Sequence, residues 1–198
     1  MRTPDPAEPV PDTVLLARYA RGEAGAAQVL AARLVPRVLA FATRMLGDAT
    51  EAEDVAQDAM LRLWQAAPGW HTDGAAPATW LYRVTANLCI DRLRKRRRGP
   101  TAPLDSVPEP HDGQIGAAAR MIAAQRVAAL QEALQTLPER QRQAVILRHI
   151  EGLSNPEIAQ IMALGIEAVE SLTARGKRAL KAALAARRDE LGFDDDRP

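Results

Sequence analysis

At 100° per residue the apolar positions of this chain gather into helical stripes, while strand-like alternation is hard to find anywhere. The most informative stripe lies in Thr79–Arg98, TWLYRVTANLCIDRLRKRRR. Trp80, Leu81, Val84 and Leu88 gather on one side of the predicted helix; Arg83, Asn87 and Arg94 gather on another, with Ile90 among them. Pro77 suits the first turn, where its missing N–H does no harm. The helix runs out into Arg92, Arg94, Lys95, Arg96, Arg97 and Arg98, opposed only by Asp91. Cations at a helix C-terminus complement the macrodipole by about 0.3–1 kcal/mol, which needs no run of that density. A basic end below an outer face with an arginine and an amide suits contact with a polyanion; a solvated charge run is the plainer alternative.

The same pattern predicts further helices on both sides. Residues 1–11 carry Pro4, Pro6, Pro9 and Pro11 and read as a disordered tail. Asp12 or Thr13 can cap a short helix through Val14, Leu15 and Tyr19 that closes at Gly22. A longer one follows from about Gly25 to Leu46, with Pro36 expected to kink or divide it. Asp48-Ala49-Thr50-Glu51 has the form of a capping box and opens a helix to Ala67, ended by Pro68-Gly69. Its predicted buried face is Ala52, Val55, Ala56, Ala59, Met60 and Leu63. Asp54, Gln57, Asp58, Leu61 and Gln65 fall on the other face, which by itself reads as ordinary solvated surface, and Trp64 borders both. The loop from Pro68 to Ala76 carries Trp70, His71 and Asp73; His71 has no second histidine or cysteine at ligand spacing.

Residues 99–116 are rich in proline and glycine and read as an extended linker that leaves the two halves to move independently. Beyond it an Ala-rich helix runs from about Ala117 to Gln135, and Pro138 opens another that reaches Ile150 and turns at Glu151-Gly152. Ser154-Asn155-Pro156-Glu157 is a second capping box. A short helix, a tight turn at Ala163-Leu164-Gly165 and a longer helix from Ile166 follow, which is helix-turn-helix arithmetic. In the last helix Ile166, Val169, Thr173, Gly176, Leu180 and Leu184 are expected to point inward, and Ser171, Ala174, Arg175 and Arg178 outward, with Lys177 and Lys181 nearer the edge.

Composition supports an all-α chain, since Ala and Leu dominate and aromatics make up only 4%; 198 residues allow one domain or two small ones, and the 99–116 linker divides the chain into two helical modules. The formal net charge of +1 hides local asymmetry, acidic near 48–58 and at the C-terminal end, basic around 83–98 and 175–188. The single cysteine, Cys89, excludes an internal disulfide, fits a reducing cytosol and sits where a small packing residue belongs. With no apolar run of membrane-spanning length and no signal-peptide core, a soluble cytoplasmic protein is expected. No catalytic constellation, cofactor site or metal site is expected.

AEDVAQDAMLRLWQ (Ala52–Gln65), TWLYRVTANLCIDRLRK (Thr79–Lys95) and LPERQRQAVILRHIEGLSNPEIAQIM (Leu137–Met162) together resemble the extracytoplasmic-function group of bacterial σ70-family factors, from regions 2.2 through 2.4 to region 4. The resemblance implies a region 2 domain over 12–98, a region 4 domain over 117–190 and an acidic tail over 191–198. It implies an alternative σ factor that binds core RNA polymerase and promoter DNA and helps melting. Asp54, Gln57, Asp58, Leu61 and Trp64 would then face the polymerase β′ clamp coiled coil, while the β flap is a second polymerase contact. Trp70, His71, Asp73, Gly74, Trp80, Arg83, Asn87 and Arg94 would hold the −10 element as melted strand, and Arg148, Ser171, Arg175, Lys177 and Arg178 the −35 element as duplex. An anti-σ factor would be the regulator. The last helix departs from the family pattern: Glu170 and Leu172 stand where basic residues are usual, and Glu167-Ala168 where a Gly-Thr pair is usual. Rival readings are a dimeric helix-turn-helix regulator and a σ-like decoy that binds a regulatory protein but no DNA; a nucleic-acid enzyme finds no paired acids or metal-ligand cluster in support.

Overall fold

The structure, a computed structural model, describes residues 10–70, 75–98 and 117–185, leaving aside the side chains of 117–121. The bulk of the expected N-terminal tail, the 99–116 linker and the acidic tail lie outside these residues. Among them the chain forms α1 (Asp12–Ala20), α2 (Ala24–Leu46), α3 (Ala49–Ala66), α4 (Pro77–Arg98), α5 (Ala117–Gln135), α6 (Glu139–Val145), α7 (Asn155–Met162) and α8 (Ile166–Ala185). A 3-10 turn at Ala67–Gly69 follows α3, and a π turn at Ile146–Ile150 prolongs α6. There is no strand among the described residues.

Helices α1 to α4 close around Leu16, Leu30, Leu34, Leu63 and Leu81, all buried. Pro11, not Asp12 or Thr13, occupies the N-cap of α1. Asp12 instead accepts from Arg33 at 3.2 Å, and the same guanidinium donates to the Val10 carbonyl at 2.6 Å, tying the first helix to α2. Pro36 does not divide α2. It lies on the solvent side together with Ala32, so water can serve the Ala32 carbonyl that the proline leaves without a donor. At the start of α3, Asp48 accepts from the Glu51 N–H at 2.9 Å, the first half of the expected capping box. The second half is not made, because the Glu51 carboxylate turns to Arg96 at 2.6 Å. The whole predicted inner face of α3 is buried.

In the C-terminal half, α7 and α8 form the helix-turn-helix. Glu157 accepts from the N–H and the hydroxyl of Ser154, at 2.8 and 2.6 Å, and those bonds hold its carboxyl below the usual carboxylate range. Ala163 takes the left-handed φ of 52° that lets the chain turn. Asn155 of α7 donates to Glu170 of α8 at 3.1 Å, an exposed link between the two helices. Ile166, expected inside, is 47% exposed; as the first residue of α8 it precedes the contact with α7, and Val169 takes the inward place one turn later.

The two halves do not stand apart as the linker composition suggests. Phe41, Met45, Leu46, Tyr82, Ala86 and Cys89 share one core with Leu134, Val145, Ile146, Leu147, Ile158 and Ile161. Every carbonyl in the last turn of α2 has a donor from outside that turn. Gln131 donates to Thr43 at 2.9 Å, Gln135 to Arg44 at 3.0 Å, Arg142 to Met45, and Arg96 to Leu46 with both terminal nitrogens at 3.2 Å. Three of these four donors belong to α5 and α6. Arg142 is 5% exposed; it also donates to the Gln135 and Leu137 carbonyls at 2.9 and 3.2 Å, and burial lowers its pKa. Beside them Tyr82 donates to Glu151 at 2.5 Å, and Arg44 pairs with the same carboxylate at 3.4 Å.

Two predictions follow from this packing. Gly176 of α8 lies so close to α6 that a Cβ there would sit 2.6 Å from Val145 Cγ2 and 3.0 Å from the Gln141 carbonyl. Gly176→Ala gains about 1 kcal/mol of helix propensity but meets overpacking worth about 1–3 kcal/mol, so urea denaturation should show a net loss, partly recovered by Val145→Ala. Arg96→Ala should lower stability by about 1–2 kcal/mol, whereas Arg94→Ala should stay within about 0.5 kcal/mol of wild type in the same measurement.

Candidate nucleic-acid and partner interfaces

Helix α4 is buried on two sides. Leu81 faces the N-terminal core with Trp80, Val84 and Leu88 partly covered, as the apolar stripe predicts. Tyr82, Ala86 and Cys89 form a second buried line that the stripe does not include, covered by α2 and the C-terminal half. Their i, i+4, i+7 spacing is the signal that identifies it in the sequence. Burial pushes the Tyr82 hydroxyl pKa up, with Glu151 adding to the effect, and pushes the Cys89 thiol up to about 12. Cys89 is thus a packing residue, as expected from its place in the helix.

The remaining face of α4 carries Arg83 and Asn87, both exposed, with Ile90 half-buried between them and Arg94 one turn further on. Arg94 pairs with Asp91 at 3.8 Å, an exposed contact that a stronger anion can displace. The basic run is not uniformly available. Arg96 is held by Leu46 and Glu51, Arg92 bridges to Asp54 at 3.2 Å, and Arg97 pairs with Glu139 of α6 at 3.3 Å. Density of charge in the sequence overstated the charge presented outward.

Trp70 is half-buried and meets Trp80 edge-on, ring centroids 5.6 Å apart; its indole N–H is buried and has no hydrogen-bond partner among the described residues. The two tryptophans form a wall at the start of α4, so Trp80 belongs to both the core stripe and the candidate site. His71, Asp73 and Gly74 lie outside the described residues.

On α3, Asp54, Gln57, Asp58 and Leu61 are exposed, Leu61 at 53%. Trp64 is half-buried and packs on Tyr19, centroids 4.7 Å apart. Between α2 and α3 an open groove of ≈ 450 Å³ is lined by Val35, Leu39, Ala56, Met60, Leu61 and Trp64, with Glu53 and Gln57 on its edge. Three of the five predicted α3 contact residues, Gln57, Leu61 and Trp64, therefore line an apolar trough; Asp58 is exposed on the same helix and Asp54 pairs with Arg92.

On α8, Ser171, Arg175 and Arg178 are exposed along one side, with Lys177, also exposed, nearer the edge. Arg175 donates through Nε to the Ser171 carbonyl at 3.2 Å, which orients the guanidinium outward. Glu167 and Glu170 are exposed near the start of the helix, and Glu170 is occupied by Asn155. Arg148, in the π turn, donates to the Leu153 carbonyl at 2.9 Å. Helices α3, α4 and α8 thus each present an exposed polar face. Among the described residues no group of His, Cys, Asp or Glu has a metal-binding arrangement, and no helix is long and apolar enough to cross a membrane.

Comparison with known proteins agrees with this division. Residues 30–99 match the family model for Sigma-70 region 2, and residues 128–180 that for Sigma-70, region 4. The ECF RNA polymerase sigma factor SigM of Mycobacterium tuberculosis is 32% identical over 85% of this chain and 82% of its own length. The ECF RNA polymerase sigma-E factor of Escherichia coli is 30% identical over 87% of this chain and 94% of its own. Among solved structures, CnrH in complex with the cytosolic domain of CnrY is 31% identical, with TM-score 0.65 over 88% of this chain and 97% of that one. The sigma factor RpoE of Bartonella quintana, solved with the anti-sigma factor NepR, shares the fold at 22% identity and TM-score 0.65, over 80% of this chain and 96% of that one. The chain therefore belongs to the extracytoplasmic-function group of the σ70 family: it is an alternative σ factor for transcription initiation, not an enzyme.

Proposed function

We propose that the three faces divide the work of initiation: α3 and its groove take the β′ clamp coiled coil of core polymerase, α4 reads the −10 element, and α8 reads the −35 element. Residues 12–98 and 117–190 are then the two σ domains, joined by 99–116 and acting in the cytoplasm. The observation that carries this reading is the α2–α3 groove, an apolar trough with Leu61 and Trp64 on it and Glu53 and Gln57 at its edge. A trough of that kind suits a helix laid along it, with apolar anchors inside and charge at the rim. An anti-σ partner belongs to the same reading, in line with the CnrH relative captured with the cytosolic domain of CnrY.

The chemistry on α4 and α8 fits the two forms of promoter DNA. A melted strand is held by aromatic walls, amide hydrogen bonds to a base edge and cations on phosphate, which Trp80, Asn87, and Arg83 with Arg94 supply. A duplex is read from the major groove by a helix with small and basic outward residues, which Ser171, Arg175 and Arg178 supply, with Lys177 and Arg148 toward the backbone. Binding energy from these contacts, together with the effective concentration gained once one of them is docked, does the recognition; bond formation belongs to the polymerase.

In vitro transcription with purified core polymerase on genomic fragments tests the whole reading: start sites should appear only when the protein is added. Leu61→Asp should weaken core binding about tenfold or more with unchanged helical content. Wild-type capture of core by that variant removes α3 from the interface. In the same system Asn87→Ala should relax base choice at the −10 element, and Arg175→Ala should cost about 1–3 kcal/mol at one −35 position. Glu170→Lys should tighten promoter binding and steepen its salt dependence by about 0.9 in log–log slope, since it replaces a repelling charge with a phosphate contact. Weaker binding by that variant would mean that Glu170, or the Asn155 clasp it sustains, reads the duplex directly.

A further inference from the structure

We propose that Arg148, His149 and Lys177 form one phosphate-binding cluster at the seam between the π turn and α8, and that docking of a promoter phosphate there places a proton on His149. The proposal rests on the assignment of α8 to the −35 element and adds a residue and a proton to that contact. All three side chains are exposed. Gly176 seats α8 on α6, where a Cβ would meet Val145 Cγ2 at 2.6 Å. Lys177 follows Gly176 directly and His149 stands one turn beyond Val145, so both flank the same contact. Arg148 Nη1 donates to the Leu153 carbonyl at 2.9 Å, which keeps that charge beside the turn. The π turn closes from the Glu151 N–H to the Ile146 carbonyl at 3.0 Å, a widened turn of the kind that concentrates at functional positions.

Among the described residues no carboxylate forms an ion pair with any of the three. Glu151, two residues beyond His149, is taken by Tyr82 and Arg44. Helix α7 carries one ionisable residue, Glu157, and Ser154 occupies it. Partial burial of the ring, then the positive charges of Lys177 on α8 and Arg148 in its own turn, lower the His149 pKa below the ordinary imidazole value. At neutral pH the imidazole of the free chain is therefore uncharged. A phosphate set between the two cations reverses that balance, because it cancels their repulsion and pairs with an imidazolium. The imidazole takes its proton from solvent, so the cluster gains a third positive charge only with DNA in place. By linkage, affinity rises as pH falls from the raised pKa of the bound state to the lowered one of the free state, and is level outside that interval.

The test measures binding of holoenzyme, made with the full-length chain, to a duplex fragment carrying a mapped start site, between about pH 6 and pH 8. Relative to His149→Gln measured in parallel, wild type should gain about three- to tenfold in affinity toward the acid end, the ratio by which phosphate raises the proton affinity of the imidazole. The Gln variant keeps a neutral donor, and the comparison with it removes titrations elsewhere in the complex. His149→Lys carries the charge throughout this range. It should bind more tightly than wild type at the alkaline end and steepen the log–log salt dependence there by about 0.9. The pH difference between wild type and His149→Gln should vanish on a fragment that ends downstream of the −35 segment, where α8 has no duplex to grip. Equal pH dependence of wild type and His149→Gln on the whole fragment, an unchanged salt slope for His149→Lys, or a difference that survives truncation each overturns the inference. A flat pH response in which truncation still weakens wild type removes only His149 and leaves α8 as the −35 reader. Wild-type affinity indifferent to truncation overturns the assignment of α8 itself.

Discussion

A helix cannot satisfy its own last carbonyls, and at the end of α2 that deficit organises the molecule. Four donors converge there from three other helices: Arg96 of α4, Gln131 and Gln135 of α5, and Arg142 of α6. The carbonyl end of the dipole favours the two cations among them, and the amides add direction without charge. Because Arg142 is buried, its charge depends on those carbonyls for solvation, so the end of α2 and the fold of α6 stabilise each other. The apolar cluster around Leu134, Val145 and Leu147 gives this meeting its bulk; the carbonyls give it its register.

The basic run at the end of α4 serves two masters. Arg96 is spent on α2 and α3 and Arg97 reaches α6, whereas Arg94 stays outward with only an exposed aspartate for company. The same division recurs on α8, where Arg175 is exposed but Glu170 is engaged by Asn155 of α7. A change at one of these positions therefore has to be sorted by what the side chain touches before its effect on DNA can be read.

Much of the fold was legible because it is written within single helices. The inner face of α3 is a 3.6-residue pattern complete in itself, and Ser154 with Glu157 caps α7 from three residues away. The exposed faces on α3, α4 and α8 were legible for the same reason. What escaped were interactions between segments far apart in sequence. Glu51 has the spacing of a capping-box partner yet pairs with Arg96, because a cation brought in by the tertiary fold outcompetes one backbone N–H. Arg142, in a stretch of charged and amide residues, looks solvated and is buried; Glu151 looks like a turn residue and joins two other helices. The proline-rich composition of 99–116 speaks to that segment alone and carries no information on whether the halves it connects attract each other.

The chain's single thiol lies in the shared core, protonated well above neutral pH and out of reach of solvent. Peroxide and metal chemistry act on thiolates, so Cys89 in this arrangement offers neither a nucleophile nor a ligand. The factor has no thiol with which to sense oxidative stress while it is packed this way. Thiol-based oxidation is therefore not received at Cys89 in this packing.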